Sequence, residues 1–253
     1  MSMTSATHVH RPEIEYPDSD GKPMSDHDLQ FKWIVVIKEG VGALFIHDPN
    51  VYVAGNLLWY PVEGNNKIRQ GPDILVAFGR PKRLRGSYKQ WEEGGIAPQV
   101  IFEVLSPGNR SGEMKRKFEF YQRYEVEEYY VYNPHNGTLR GWLRVGQSLV
   151  ENPVMAGFVS PRLGIRFEPG QGPDSLTIIR PDGERFLTYE EILEERNAER
   201  LHAQAERQHA QEAQRHAEEA EHRAEEAERH RAEAARRAER YAALLREMGV
   251  EPD

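Results

Sequence analysis

The segment from Gln99 to Pro134, "QVIFEVLSPGNRSGEMKRKFEFYQRYEVEEYYVYNP", restricts the fold of this chain more than any other part of it. Side chains alternate along a strand, so Val100, Phe102 and Val104 take one face while Ile101, Glu103 and Leu105 take the other. Both faces are apolar, which places the strand inside a sheet covered on both sides. A helix pattern follows in "SGEMKRKFEFYQRY", and then a second apolar strand, "EYYVYNP", ended by Asn-Pro. Strand, helix and strand in that order form a crossover, which makes the central sheet mixed and the fold α/β.

Upstream, "SDHDLQFKWIVVIKEG" predicts a helix, with Ser25 as cap, Asp26 and Asp28 in the first turn, and Gly40 as the stop. The runs "ALFIHDPN", "VYVAGN", "LLWYPVEGNN" and "GPDILVAFG" predict strands, meandering antiparallel at first. Residues 80–98 are polar and read as a loop. Downstream, "LRGWLRVG", "LGIRFEPG" and "DSLTIIRPDG" predict further strands, which either extend the sheet or form a β-rich flank.

With 253 residues and 38% hydrophobic content the chain supports one core plus an extension. The expected division is a flexible N-terminus over 1–20, a globular domain over 21–187 and a charged, alanine-rich helix over 188–249. There is no cysteine, so a metal would be held by carboxylates, carbonyls, histidine or water. No segment reaches the roughly 18 apolar residues of a membrane span, and the amino terminus lacks the apolar run of a signal peptide. A cytoplasmic protein without membrane attachment is expected. The net charge of −8 is unevenly spread: of 41 acidic and 33 basic residues, 18 and 11 lie from Thr188 onward. The remainder is nearly neutral, so the overall charge does not exclude nucleic acid.

The tail opens with the capping-box spacing of Thr188 and Glu191 and meets no helix breaker until Gly249. That is about 60 residues, on the order of 90 Å at 1.5 Å per residue. Ala210, Ala213, Ala217, Ala220, Ala224, Ala227, Ala234, Ala238, Tyr241, Leu245 and Met248 follow a 3-4 heptad spacing, broken at Arg231. Alanine buries little area, so a solvated single helix and a coiled coil that makes a homo-oligomer through 188–249 are both compatible with the pattern. Pairs such as Glu219/Arg223, Glu225/Arg229 and Glu233/Arg237 support helicity in either case. His202, His209, His216 and His230 repeat at multiples of seven, about 10 Å or more apart along one helix, too far to share a metal.

Glu103 is a carboxylate on an interior strand, expensive unless paired, hydrogen-bonded or bound to a cation. One candidate partner is Asp73. Pro-Asp occurs five times in the chain, but only Asp73 opens a continuous apolar strand. Two carboxylates at neighbouring strand ends suit Mg²⁺; a strand-start residue capping backbone amides is the simpler alternative for Asp73. On the following helix Met114, Phe118, Phe120, Tyr121 and Tyr124 form one apolar arc, and Lys117 falls inside it. Lys117 is therefore either a core-facing ammonium aimed at the two acids or a lysine snorkelling from the margin of the arc. Residues 67–89 carry seven Lys/Arg against one acid, among them Lys82, Arg83 and Arg85, and Arg110, Lys115 and Arg116 lie near the acids in sequence. These six are candidate nucleic-acid contacts, or else a solvated face.

The run "PDILVAF", then Glu-Val-Leu-Ser-Pro, a helix lysine, a tyrosine and a Glu-Tyr-aromatic strand ending in proline, resembles the Uma-two family of restriction-endonuclease-like proteins, within the PD-(D/E)XK nuclease superfamily. The resemblance is clear over roughly residues 20–140. It implies a restriction-endonuclease-like mixed central sheet flanked by helices, with Asp73 and Glu103 as metal-binding acids and Lys117 as the catalytic lysine, moved from the strand to the helix. That displacement accounts for Leu105 where a more familiar nuclease has lysine. The implied chemistry is Mg²⁺-dependent (or Mn²⁺-dependent) endonuclease hydrolysis of phosphodiester bonds, in DNA rather than RNA. The alternative is a catalytically silent nuclease fold acting as an oligomerising or partner-binding module through its C-terminal helix. The family's Gly-Val is here Glu125-Val126, its Trp is Tyr130 and its Asp is Asn133; His27 matches a first-helix histidine.

Overall fold

The computed structural model describes residues 14–19, 21 and 27–247. The chain divides into two units with their boundary between Thr188 and Tyr189. Among the described residues no helix is long and apolar enough to cross a membrane.

In the first unit, helix α1 (Asp28–Leu44) buries Gln30, Trp33, Ile34, Ile37 and Val41 along one stripe. Gly40 does not end it, contrary to the sequence expectation. The stripe continues through Val41 and Leu44, and the absent Cβ at Gly40 makes room for the Phe186 ring, whose Cδ2 would lie 2.3 Å from it. The same extension overturns the strand predicted in "ALFIHDPN": Ala43 and Leu44 are helical, and the chain then turns, with Asp48 Oδ1 accepting from the Asn50 N–H at 2.8 Å. Ser25 and Asp26 lie outside the described residues.

The central sheet has six strands in the order β1 (Val51–Gly55), β3 (Ile74–Phe78), β5 (Val100–Val104), β6 (Glu128–Asn133), β7 (Thr138–Val145) and β8 (Ser148–Asn152). Only β5 and β6 run parallel, joined across helix α2 (Ser111–Arg123), as the crossover pattern predicts. The intervening β2 (Trp59–Tyr60) leaves the expected meander and pairs parallel with β4 (Tyr88–Lys89) in a separate ribbon. Its backbone is also satisfied by Gln70, through N–H···O bonds of 2.8 and 3.1 Å. The polar stretch 80–98 is therefore not wholly a loop, because the buried Tyr88 returns it to the core. Of the downstream segments, β7 extends the sheet, while β9 (Phe158–Val159), β10 (Arg166–Glu168) and β11 (Thr177–Ile179) form a three-stranded flank. Helix α2 is followed by Glu125 at φ 65°, a left-handed conformation suited to the glycine that the resembled family has at this position.

Each face of β5 is covered. Val100, Phe102 and Val104 pack with α1 and with Phe167 and Ile178 of the flank. Ile101 packs with Tyr121, Tyr129, Trp59 and Tyr88 on the side of α2. At roughly 25 cal/mol per Å² of apolar area removed from water, such double burial is what makes β5 a rigid platform.

The second unit is helix α3 (Tyr189–Glu247), 59 residues with none buried. Glu219 and Arg223 pair at 3.4 Å, and the Arg237 guanidinium lies over the Tyr241 ring at 5.7 Å. Met248 and Gly249 lie outside the described residues.

Candidate active site

The register of the sheet sets the acids side by side. Ile74 is opposite Phe102, so the residue before β3, Asp73, comes level with Glu103, and both side chains leave the sheet on the α2 side. Asp73 is 8% and Glu103 2% exposed. Asp73 Oδ2 accepts the Val104 N–H at 2.6 Å, so it does cap a backbone amide, as its simpler reading held, while also standing beside Glu103. From the second turn of α2, Lys117 Nζ donates to Glu103 Oε2 at 2.7 Å and is itself buried. The structure thus places Lys117 at Glu103 rather than at a solvent margin. One turn further on, the Tyr121 hydroxyl donates to Glu103 Oε1 at 2.5 Å.

Burial, and next the charge of Glu103, push the Asp73 carboxyl up to about 8, while Lys117 pulls it the other way. For Lys117 burial alone would favour the neutral amine, but Glu103 and Asp73 outweigh it and raise its pKa. The lysine is charged at neutral pH. Burial and Glu103 raise Tyr121 well above the ordinary phenol range, keeping it a donor. Tyr129, on β6, is raised by burial and by the same two acids, and its buried hydroxyl has no hydrogen-bond partner among the described residues.

These features fit a hard divalent cation. The donors are carboxylate oxygens, burial and then the charge of Glu103 leave Asp73 able to hold a proton near neutrality, and the buried Tyr129 hydroxyl, whose pKa the same two acids raise, is left without a partner among the described residues. Among the described residues no group of three or more His, Cys, Asp and Glu is placed to hold a metal. The acids that stand together here are two, Asp73 and Glu103; a cation such as Mg²⁺, which keeps several waters, would need no more from the protein.

The candidate phosphate-binding residues separate into two groups. Arg110 stands at the N-terminus of α2, and Lys115 and Arg116 follow on its exposed side; Lys115 approaches Glu119 at 3.9 Å. Lys82, Arg83 and Arg85 lie beyond Phe78, the end of β3 away from Asp73, roughly 15 Å along the strand at 3.3 Å per residue. There Lys82 Nζ donates to the Phe45 and Ile46 carbonyls, and Arg83 reaches Glu93 at 2.7 Å. Arg85 donates to both Glu93 oxygens and lies 3.9 Å over the Tyr52 ring. That cluster holds the 80–98 segment to the sheet.

Two residues were not singled out from sequence. By sequence Tyr121 belongs to the apolar arc; its position one turn after Lys117 is the signal that it reaches the same acid. Gln30 lies on the apolar stripe of α1 and donates from Nε2 to the Val104 carbonyl at 2.9 Å. A lone amide in that stripe was the available signal.

The family described as "Putative restriction endonuclease", Uma2, matches residues 25–168. That span contains Gln30, Asp73, Glu103, Lys117 and Tyr121. A crystal structure described as "a putative nuclease belonging to DUF820", from Anabaena variabilis ATCC 29413, is similar with a TM-score of 0.42 and 14% identity, covering 55% of this chain and 74% of that one. No curated protein matches the sequence. The family match spans more than half of the chain, which therefore belongs to the Uma2 family of the PD-(D/E)XK nuclease-fold superfamily.

Proposed function

We propose that this protein is a metal-dependent endonuclease hydrolysing phosphodiester bonds, with DNA rather than RNA as substrate. The observation that carries the reading is the buried set in which Lys117 lies 2.7 Å from Glu103 and Asp73 stands level with Glu103 on the next strand. Asp73 and Glu103 would hold Mg²⁺, with Mn²⁺ as a substitute; when bound, the cation stabilises charge on the phosphate and lowers the pKa of a bound water. Lys117 orients the attacking water by donating to it and offsets the charge that develops on the phosphate. Tyr121 fixes the second oxygen of Glu103, so the carboxylate keeps one orientation. Arg110, Lys115 and Arg116 contact the backbone phosphates beside the site. At the far end of the sheet, Arg83 has more than half of its side chain exposed and suits a contact with a longer duplex, whereas Arg85 is committed to Glu93.

The test is incubation of the full-length protein with supercoiled plasmid and Mg²⁺ or Mn²⁺, beside Asp73→Ala and Lys117→Ala. The wild type nicks the plasmid and each variant is slower by about 100-fold or more. Equal behaviour of all three proteins, nicking or not, removes the catalytic reading.

A second reading is favoured by α3, whose 59 residues include none that is buried. In it the nuclease fold is catalytically silent, and the protein acts by pairing or partner binding through its heptad seam.

A further inference from the structure

The end of β5 is not finished by the sheet ladder. Continuing the β3–β5 register by one pair beyond Asp73 and Glu103 brings residue 72 opposite Val104. Residue 72 is proline, which has no N–H to give to the Val104 carbonyl. Two side chains from distant parts of the chain take the place of the missing backbone partner. Asp73 Oδ2 receives the Val104 N–H at 2.6 Å, and Gln30 Nε2, reaching across from α1, donates to the Val104 carbonyl at 2.9 Å. Gln30 is 6% exposed and sits among Trp33, Ile34 and Ile37. A buried amide there costs free energy unless it is hydrogen-bonded, and an apolar residue would fill the stripe as well.

We propose that Gln30 is a positioning residue: by holding the Val104 carbonyl where Pro72 cannot, it fixes the strand end from which Glu103 projects and against which the Asp73 carboxylate is bound. Through that peptide it sets the separation of the two acids, and hence their joint affinity for a divalent cation. The proposal rests on the reading of Asp73 and Glu103 as a metal-binding pair.

The test is Mn²⁺ binding by the full-length protein, measured by calorimetry without nucleic acid, beside thermal unfolding of the same samples. Gln30→Met keeps the volume and removes the donor; Gln30→Asn keeps the amide but falls one methylene short. Ile34→Val, on the same stripe, is the packing control. The expected result is folded Gln30 variants with Mn²⁺ affinity weakened by about 10-fold, and Ile34→Val with slightly lower stability and unchanged affinity. A folded Gln30→Met or Gln30→Asn that binds within twofold of wild type overturns the proposal, as does an equal loss in Ile34→Val. If the wild type itself binds no Mn²⁺, the metal-pair reading falls, and this proposal with it.

Discussion

Glu93 and Asp73 are both buried acids, yet their surroundings drive them in opposite directions. Arg85, first through its hydrogen bonds, and then Arg83 hold the Glu93 carboxyl at about 2 against the opposing effect of burial, whereas burial, and next the charge of Glu103, raise Asp73 to about 8. A carboxyl depressed on folding contributes stability that is fully present above its unfolded value near 4.5 and is lost as pH falls through 2. Glu93→Gln therefore lowers stability at pH 7 by about 3 kcal/mol, since one unit is 1.36 kcal/mol and Arg85 is left without its buried partner. Denaturant unfolding shows that difference shrinking steadily between pH 4.5 and pH 2; a difference independent of pH would mean that Glu93 acts by packing alone. A fourth buried acid, Glu128, accepts from the Tyr130 hydroxyl at 2.8 Å and the Arg162 N–H at 2.6 Å. It is bound by its own set of donors and ties β6 to the flanking turn. The Asp73–Glu103 pair differs in facing one buried ammonium, which donates to Glu103, and that is the observation behind the proposed cation site.

At the scale of elements, local pattern and tertiary fit can pull apart, and α1 shows which one wins. By helix propensity alone, glycine inside a helix costs roughly 1 kcal/mol relative to alanine, so Gly40→Ala would be expected to stabilise. The position faces the Phe186 ring, where a Cβ would meet carbons at 2.3 to 2.5 Å. Gly40→Ala instead destabilises by about 1 to 3 kcal/mol, the cost of overpacking, read as a lower midpoint in denaturant; a rise in midpoint would show that the ring moves aside freely. Helix α2 is the opposite case, in which pattern and fit agree. Its arc places Lys117 and Tyr121 one turn apart, and both reach Glu103. The crossover from β5 through α2 to β6 was legible for the same reason, because alternation and the 3.6-residue period are local properties. The strand expected at Ala43–Asn50 failed because a short apolar run satisfies either period, and α1 needed Leu44 and Phe45 to complete its contact with the core.

For the whole molecule the open variable is association through α3. In its seam register Arg223 precedes Ala224 and Glu228 follows Ala227, so a parallel pair brings Arg223 of one copy to Glu228 of the other, and likewise His216 to Glu221. An antiparallel pair would instead set His and Arg against His and Arg. On the coiled-coil reading, light scattering gives a dimer mass for the full-length protein and a monomer mass for a chain ending at Leu187; a monomer mass for both removes that reading and leaves α3 a single solvated helix. The sequence by itself determined the mixed sheet, the interior strand with its carboxylate, the helix whose apolar arc contains Lys117 and the long helix, because each is written in a periodicity of neighbouring residues. Only the tertiary structure decided which end of the sheet the basic residues occupy, that Arg85 is bound to Glu93, and that Gln30 and Asp73 together hold the Val104 peptide. Those facts depend on strand register and on contacts between residues as much as 74 positions apart, and no local pattern carries that information.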